Sequence, residues 1–213
     1  MTAYNGLELY SKPLFHVVLL VAYSIFTKKI KPLFYLFYLS AITIEFIAKS
    51  SIVFSMVWVL LPYSICFFSG DILLLPLIKK RRLKFKGINR IFILLVTGVL
   101  AYIILSMYFT FMSKLNSNLL YAIATLLFTS FLFCCFYITY VYNHPKSILL
   151  FLTGIGYSIT CIFGLIMVFL RIENPLLFGL LNLSETVAQF CFVFFMIDFK
   201  EVFDNKDIIA LED

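Results

Sequence analysis

Long apolar stretches alternate with short polar turns along almost the whole chain. A membrane-spanning helix needs about 20 apolar residues, and it satisfies its own backbone hydrogen bonds where water is absent. Seven stretches fit this description, although the first is short: residues 13–27, 32–48, 51–78, 91–112, 119–141, 147–170 and 176–197. The pattern therefore predicts an all-α, polytopic membrane protein with one transmembrane domain over residues 1–213 and a polar tail at 198–213.

The composition of the chain excludes a soluble globular domain. Of its 213 residues, 63% are apolar and only 13% are charged, whereas a soluble domain has about 45–50% apolar and about 25% charged residues. The five cysteines all lie inside apolar stretches without the spacing of a metal site, so we interpret them as small core residues. We therefore expect neither a metal ion nor a cofactor.

The net charge of +6 is concentrated in the loops. Seven of the seventeen basic residues fall in the segment 79–90, which contains no acid. If there are seven spans, thirteen basic residues lie on one side of the membrane and four on the side of the N-terminus. These four are Lys12, Lys49, Lys114 and Arg171. Because basic loops stay in the cytoplasm, we expect an external N-terminus and a cytoplasmic C-terminus in a bacterial inner membrane.

Two interpretations of the basic segment 79–90 stay open. It could bind anionic lipid head groups, or it could be a topology signal with no other role. A nucleic-acid partner is not expected, because the positive charge is a feature of one loop between apolar helices and not of a domain surface. The sequence does not predict an oligomeric state.

Three acidic residues fall inside the predicted spans, where a charge costs roughly 2.5–3.5 kcal/mol on insertion scales. Glu45 lies near the outer end of its helix with Lys49 four residues further on, which predicts an interfacial ion pair with a structural role. Asp71 and Glu185 lie deeper. Residues of this kind usually face the interior of a bundle, and they are the first place to look for function.

Asp71 has polar and small neighbours in the sequence. Ser64 shares its helical face, and Gly70 beside it would let another helix or a ligand approach closely. Lys31, at the start of the second predicted helix, could extend its side chain toward the depth of Asp71. A buried carboxylate that only stabilises the bundle through hydrogen bonds is the structural alternative.

Glu185 lies on a polar face of the last predicted helix. Asn182 precedes it by three residues and Gln189 follows it by four, a spacing that stacks the three side chains on one side of a helix. A helix that faces lipid on this side would not carry such a line. Hydrogen bonding between helices could explain it without any catalytic role.

Two motifs resemble those of a known family. Lys-Pro-Leu at 31–33 opens the second predicted helix, and Phe-Ser-Gly-Asp-Ile-Leu-Leu-Leu-Pro at 68–76 closes the third. Together they resemble the YhhN-like lysoplasmalogenase family of small multi-span membrane proteins. The match covers residues 31–76, roughly a fifth of the chain.

The resemblance implies a hydrolase that cleaves the vinyl-ether bond of a lysoplasmalogen, a membrane lipid of the lysophospholipid type. We hypothesise that Asp71 and Glu185 are the catalytic carboxyls, one kept protonated by burial and the other ionised. Which of them is the acid stays open. Lys31 would lie near the head-group phosphate or pair with Asp71. The expected substrate-binding residues are Lys31, Ser64, Gly70, Asn182 and Gln189.

The chain departs from the family pattern in three ways. It lacks the family's histidine on the helix after the Gly-Asp motif, where Tyr102 is the candidate for the family's tyrosine. Ser184-Glu185 stands where the family has Ser-Asp, and seven spans replace the usual eight. These departures favour a catalytically degenerate member with a structural role. A non-enzymatic carrier or sensor is the other alternative, since polar helix faces could line a path for a small solute or a proton.

Overall fold

The structure, a computed structural model, describes residues 4–28, 31–48, 56–80, 91, 95, 97–99, 101–106, 118–142, 144–170 and 174–204. These residues are helical apart from short connections, and no strand occurs among them. The predicted all-α class is therefore confirmed for the part of the chain that is described.

Seven helices have defined bounds: α1 (Tyr4–Thr27), α2 (Pro32–Ala48), α3 (Met56–Lys80), α4 (Asn118–Val141), α5 (Ile148–Leu170), α6 (Pro175–Ile197) and α7 (Phe199–Asp204). A turn of 3₁₀ helix, Pro145–Ser147, precedes α5. Helical residues also occur within the predicted fourth span, in the segment Thr97–Ser106. Proline at the first turn of α2 and of α6 starts each helix where the missing N–H has no intrahelical partner to lose.

Two boundaries differ from the prediction. Helix α1 begins at Tyr4 and not at residue 13, so that Pro13 lies inside it. The predicted tail 198–213 begins with a helix, α7, and the residues after Asp204 lie outside the described part. Both differences have one cause: hydropathy predicts the apolar part of a helix, whereas backbone hydrogen bonds, which also form between polar residues, set where the helix ends.

Four helical stretches are long and apolar enough to cross a membrane by length and composition: Trp58–Lys80, Leu119–Val141, Pro145–Met167 and Pro175–Ile197. Three shorter apolar stretches, Ser11–Thr27, Pro32–Ile47 and Thr97–Ser106, coincide with the first, second and fourth predicted spans. Four membrane-length helices in so apolar a chain indicate a membrane protein. A count of seven spans stays a prediction.

The chain divides into two compact units. Unit 1 comprises Met1–Leu73 and Ala101–Phe131, and unit 2 comprises Leu74–Leu100 and Leu132–Asp213. Asp71 belongs to unit 1 and Glu185 to unit 2, so each acid is described within its own unit.

The α1–α2 hairpin of unit 1 is joined by aromatic contacts near its turn. The rings of Tyr23 and Phe34 stack with centroids 3.7 Å apart, and Ser24 shares a hydrogen bond of 2.6 Å with the hydroxyl of Tyr35. Lys28, with φ of 51°, ends α1 in the left-handed region. These contacts reverse the chain and set α2 antiparallel to α1.

Unit 2 is built on the antiparallel pair α5 and α6. Asn174 caps the start of α6 by accepting a hydrogen bond of 2.8 Å from the N–H of Leu176, and His144 caps the 3₁₀ turn through Lys146 N–H. Both caps follow the rule that short polar side chains satisfy the first backbone donors of a helix. They fix where the two helices begin and so which faces meet.

Candidate functional site

Gly70, next to Asp71, is a point of close packing in α3. A Cβ atom at this position would lie 2.7 Å from Cε2 of Phe131 and 3.2 Å from Cε2 of Phe37. The rings of Phe67 and Phe131 lie 5.3 Å apart in the same cluster. The close approach that the sequence predicts at Gly70 is therefore made by aromatic side chains of unit 1, and binding of a substrate there stays a prediction.

Asp71 directly follows Gly70 in α3. The residue is half-buried, its Oδ1 atom is withdrawn from solvent, and Phe68, three residues earlier, is half exposed. Ser64 lies seven residues before Asp71, on the same face of the helix. It is buried, and its hydroxyl donates a hydrogen bond of 2.8 Å to the carbonyl of Leu60. That hydroxyl is used within α3, which leaves Ser64 with its oxygen as an acceptor.

Lys31 serves as the cap of α2. Its carbonyl accepts hydrogen bonds from the N–H groups of Phe34, at 2.9 Å, and Tyr35, at 3.3 Å. The backbone of Lys31 is thereby fixed in unit 1, the unit that also holds Asp71. The proposed ion pair between the two side chains stays a prediction.

The polar face of α6 exists as the sequence predicts, in the sense that its residues share one side of a continuous helix. Gln189 is buried, and Glu185 and Asn182 are half-buried. The Oδ1 atom of Asn182 is buried and accepts no hydrogen bond from the residues that the structure describes. Three polar side chains are thus withdrawn from solvent along one line of an apolar helix.

Helix α6 meets α5 along a neighbouring face, made of small residues. A Cβ atom on Gly156 would lie 2.7 Å from the carbonyl oxygen of Ser184 and 2.8 Å from Cβ of Ala188. The hydroxyls of Thr160 and Ser184 are 2.9 Å apart, and Thr153 donates to the carbonyl of Ala188 at 3.4 Å. Small residues and interhelical hydrogen bonds of this kind are typical of helices packed inside membranes.

The contact face and the polar face of α6 are offset by one residue. Ser184 and Ala188 contact α5, while Glu185 and Gln189 follow each of them directly. One residue turns a helix by roughly 100°. The polar line therefore lies beside the contact that Ser184 and Ala188 make with α5.

The small-residue face was not predicted from the sequence, although a signal was present. Gly156, Thr160 and Gly164 recur at intervals of four on α5, and Ser184 and Ala188 do so on α6. This is the small-xxx-small pattern. This pattern identifies the faces of α5 and α6 that meet. Glu185 is not part of the pattern, and its position on the helix places it on the neighbouring face of α6.

Glu45 has a partner that the sequence did not predict. Its carboxylate lies 3.3 Å from Nζ of Lys12 in α1, with side chains 10% and 24% exposed. Lys49, the predicted partner, lies outside the described residues. This contact between two helices supports the structural role expected for Glu45, and the pair with Lys49 stays a prediction.

His16 is another ionisable side chain of the α1–α2 hairpin. It is buried, with Nδ1 2.8 Å from the carbonyl of Lys12 and its ring near that of Tyr38. This geometry makes Nδ1 the donor. Across the described residues, no group of three or more His, Cys, Asp or Glu side chains could hold a metal ion.

A cluster of charges at one end of unit 2 was also missed. Lys146 lies 3.0 Å from Asp198 and 2.8 Å from Glu201, and His144 lies 3.8 Å from Glu201. The hydrogen bond from Lys146 is the main reason that the pKa of Glu201 is lowered from its ordinary value. Lys80 lies over the ring of Phe203 at 4.0 Å and donates to the carbonyl of that residue.

This charge cluster brings three segments to one end of unit 2: the end of α3, the turn before α5 and the corner between α6 and α7. The partners are far apart in the sequence, which is why hydropathy and local spacing did not predict them.

No protein-family model, no curated protein and no solved structure matches this chain.

Proposed function

We propose that the chain is a multi-pass protein of a bacterial inner membrane, with seven spans, an external N-terminus and a cytoplasmic C-terminus. The supporting geometry is that Lys80, Lys146 and the α6–α7 corner share one end of unit 2. In unit 1, the Lys12–Glu45 pair lies at the end of the hairpin opposite its Lys28 turn. Both arrangements agree with the sides to which the basic residues assign these loops.

We further propose that it is a hydrolase of the lysoplasmalogenase type, acting on the vinyl-ether bond of a lysophospholipid. The observation that carries this proposal is the half-buried Glu185, set between Asn182 and the buried Gln189 on a membrane-length apolar helix. An ionisable group at such a depth is a functional-site candidate by default. The Gly-Asp motif at Asp71 adds the second carboxyl.

The chemistry needs two carboxyls in different protonation states. A carboxylic acid donates a proton to the β-carbon of the vinyl ether, which leaves an oxocarbenium ion stabilised by a nearby carboxylate. Water adds to this ion, returns a proton and gives a hemiacetal. The hemiacetal collapses to an aldehyde and the free hydroxyl of the glycerophospho head group. In this proposal Asp71 and Glu185 divide the two carboxyl roles, and Lys31 is available to the head-group phosphate.

The test is turnover by the purified full-length protein in lipid nanodiscs. It is offered a lysoplasmalogen and, separately, the matched ester lysophospholipid, and the release of aldehyde and fatty acid is followed by mass spectrometry. We expect aldehyde from the vinyl ether and no fatty acid from the ester. If the protein hydrolyses neither lipid, the hydrolase proposal is wrong.

A carrier of a proton or a small solute is the second candidate, and the line of Asn182, Glu185 and Gln189 on α6 favours it, since a polar stripe can line a path. In proteoliposomes without lysoplasmalogen, a carrier would give pH-dependent flux that Glu185→Gln reduces. A catalytically degenerate family member would give neither flux nor turnover. The missing family histidine favours that outcome over a carrier.

A further inference from the structure

The C-terminal corner of the described chain combines exposed ionic contacts with ring contacts and one buried side chain. Residues 198–204, which we call the strap, comprise the bend at Asp198 and helix α7. Lys146 is clamped between Asp198 and Glu201, whose side chains are 28% and 57% exposed. Val202 is the one buried anchor of α7. A helix of six residues is too short to persist by itself in water, so these contacts decide whether the strap is ordered.

The strap also contacts a lysine that belongs to the most basic part of the chain. Lys80 contacts the ring and the carbonyl of Phe203, and it is the second residue of the 79–90 segment, which has seven basic residues and no acid. Anionic lipid head groups attract basic segments next to membrane helices. The strap, through carboxylates on Lys146 and through the ring and carbonyl of Phe203 on Lys80, therefore competes with lipid phosphates for these lysines.

We propose that residues 198–204 form a detachable strap that covers Lys80 and Lys146 and yields these lysines to anionic phospholipid head groups. In a neutral bilayer the strap is closed, with Asp198 and Glu201 on Lys146. In an anionic bilayer the lysines turn to the head groups and the strap opens by a shift in population. The device is independent of the proposed hydrolysis, because no strap residue belongs to the candidate site.

The test is amide hydrogen exchange, read by mass spectrometry on peptides covering 198–204. The full-length protein is placed in nanodiscs of phosphatidylcholine alone or of phosphatidylcholine with phosphatidylglycerol, at equal pH and ionic strength. Exposed ion pairs are weak, so we expect exchange in the strap to rise about two- to fivefold with the anionic lipid. Inorganic phosphate, added to the neutral nanodiscs at the same ionic strength, should have no effect.

Variants separate the ionic contacts from general loosening. The double variant Asp198→Asn, Glu201→Gln should exchange fast in the neutral lipid and respond little to the anionic lipid. Asp204→Asn, which removes a charge of the same helix that takes no part in these ion pairs, should behave like the wild type. Peptides from α5 and α6 report whether each variant is folded.

Two results would contradict the proposal that the strap detaches in an anionic bilayer. Exchange of 198–204 in the wild-type protein could be the same in both lipids, which needs no variant to interpret. Alternatively, Asp204→Asn could loosen the strap as much as the double variant does, which would make net charge and not the contact with Lys146 the cause. If the double variant does not fold, Lys146→Gln breaks the same pairs from the other side, and an unchanged strap in that protein would equally contradict the proposal.

Discussion

Gly156 shows how a single residue determines the packing of two helices. A methyl group there would lie 2.7 Å from a backbone carbonyl oxygen of α6, and a backbone atom cannot rotate away as the end of a side chain can. Gly179 of α6 is the opposite case, because nothing among the described residues lies within 4 Å of an added Cβ. The two glycines therefore predict opposite results for one substitution.

We expect Gly156→Ala to destabilise the protein by about 1–3 kcal/mol, the usual cost of inserting a methyl group into a packed core. Gly179→Ala is the matched control. It should be neutral or slightly stabilising, because alanine favours a helix over glycine by about 1 kcal/mol. Thermal unfolding in detergent micelles measures both. Equal effects of the two substitutions would contradict the close packing of α5 on α6.

Glu201 predicts a pH dependence for the corner between α6 and α7. Lys146 donates to its carboxylate, and together with His144 it favours the ionised form, so that the pKa of Glu201 lies below its ordinary value of 4.5. A lowered pKa in the folded state means that the stabilisation is present above 4.5 and disappears as pH falls through the folded-state pKa. Among the described residues, the other charges at this corner include Asp198, Lys80, Lys200 and Asp204.

The measurement is the difference in melting temperature between the wild type and Glu201→Gln as a function of pH. We expect the wild type to melt higher near neutral pH, and the difference to shrink below pH 4.5 and vanish once the pH is below the lowered folded-state pKa of Glu201. High salt should shrink the difference at every pH, since exposed pairs are screened. A difference that grows on acidification would show that the sign of this argument is wrong.

At the scale of the element, sequence and structure agree best where a helix is apolar from end to end. Helices α2, α4 and α6 were predicted to within a residue or two, because the same apolar residues form the helix and mark the span. Helix α1 extends beyond its apolar part, and α7 is held by contacts with Lys80 and Lys146. Local hydropathy predicts neither the start of α1 nor the presence of α7.

The α1–α2 hairpin predicts a coupling between two charges. Lys12 and Glu45 are largely buried in their contact, so removing one partner leaves the other poorly compensated. We expect Lys12→Gln or Glu45→Gln to cost about 1–3 kcal/mol, between the values typical of exposed and of buried pairs. Exchanging the charges, with Lys12→Glu and Glu45→Lys together, should restore part of that loss in a thermal unfolding series. Additive losses in the exchanged protein would contradict the pair.

The candidate site was predictable in part. Each acid could be found from sequence alone, because a charge inside an apolar run stands out, and the polar spacing around Glu185 follows from helix geometry. The surroundings could not be found in this way. That Phe131 and Phe37 fill the space at Gly70, and that Ser184 and Ala188 face α5, depends on contacts between segments distant in the chain.

At the scale of the whole molecule, the topology proposed from the basic residues can be measured directly. We expect a fluorescent protein fused after residue 213 to fluoresce, because its chromophore matures in the cytoplasm. Alkaline phosphatase fused at residue 114, in an external loop of the proposed topology, should be active. Fusions within 79–90 should give fluorescence and no phosphatase activity. Active phosphatase at residue 213 would reverse the orientation or change the number of spans.

The central claim is that Asp71 and Glu185 together carry a vinyl-ether hydrolysis inside the membrane. The most direct measurement is the rate of aldehyde release from a lysoplasmalogen in nanodiscs by Asp71→Asn, Glu185→Gln and Glu45→Gln, each per folded protein. General acid–base groups contribute roughly 100-fold or more, so the first two variants should lose at least that much, while Glu45→Gln, which changes an acid paired with Lys12, should keep the wild-type rate. Full activity in folded Asp71→Asn and Glu185→Gln would contradict the assignment.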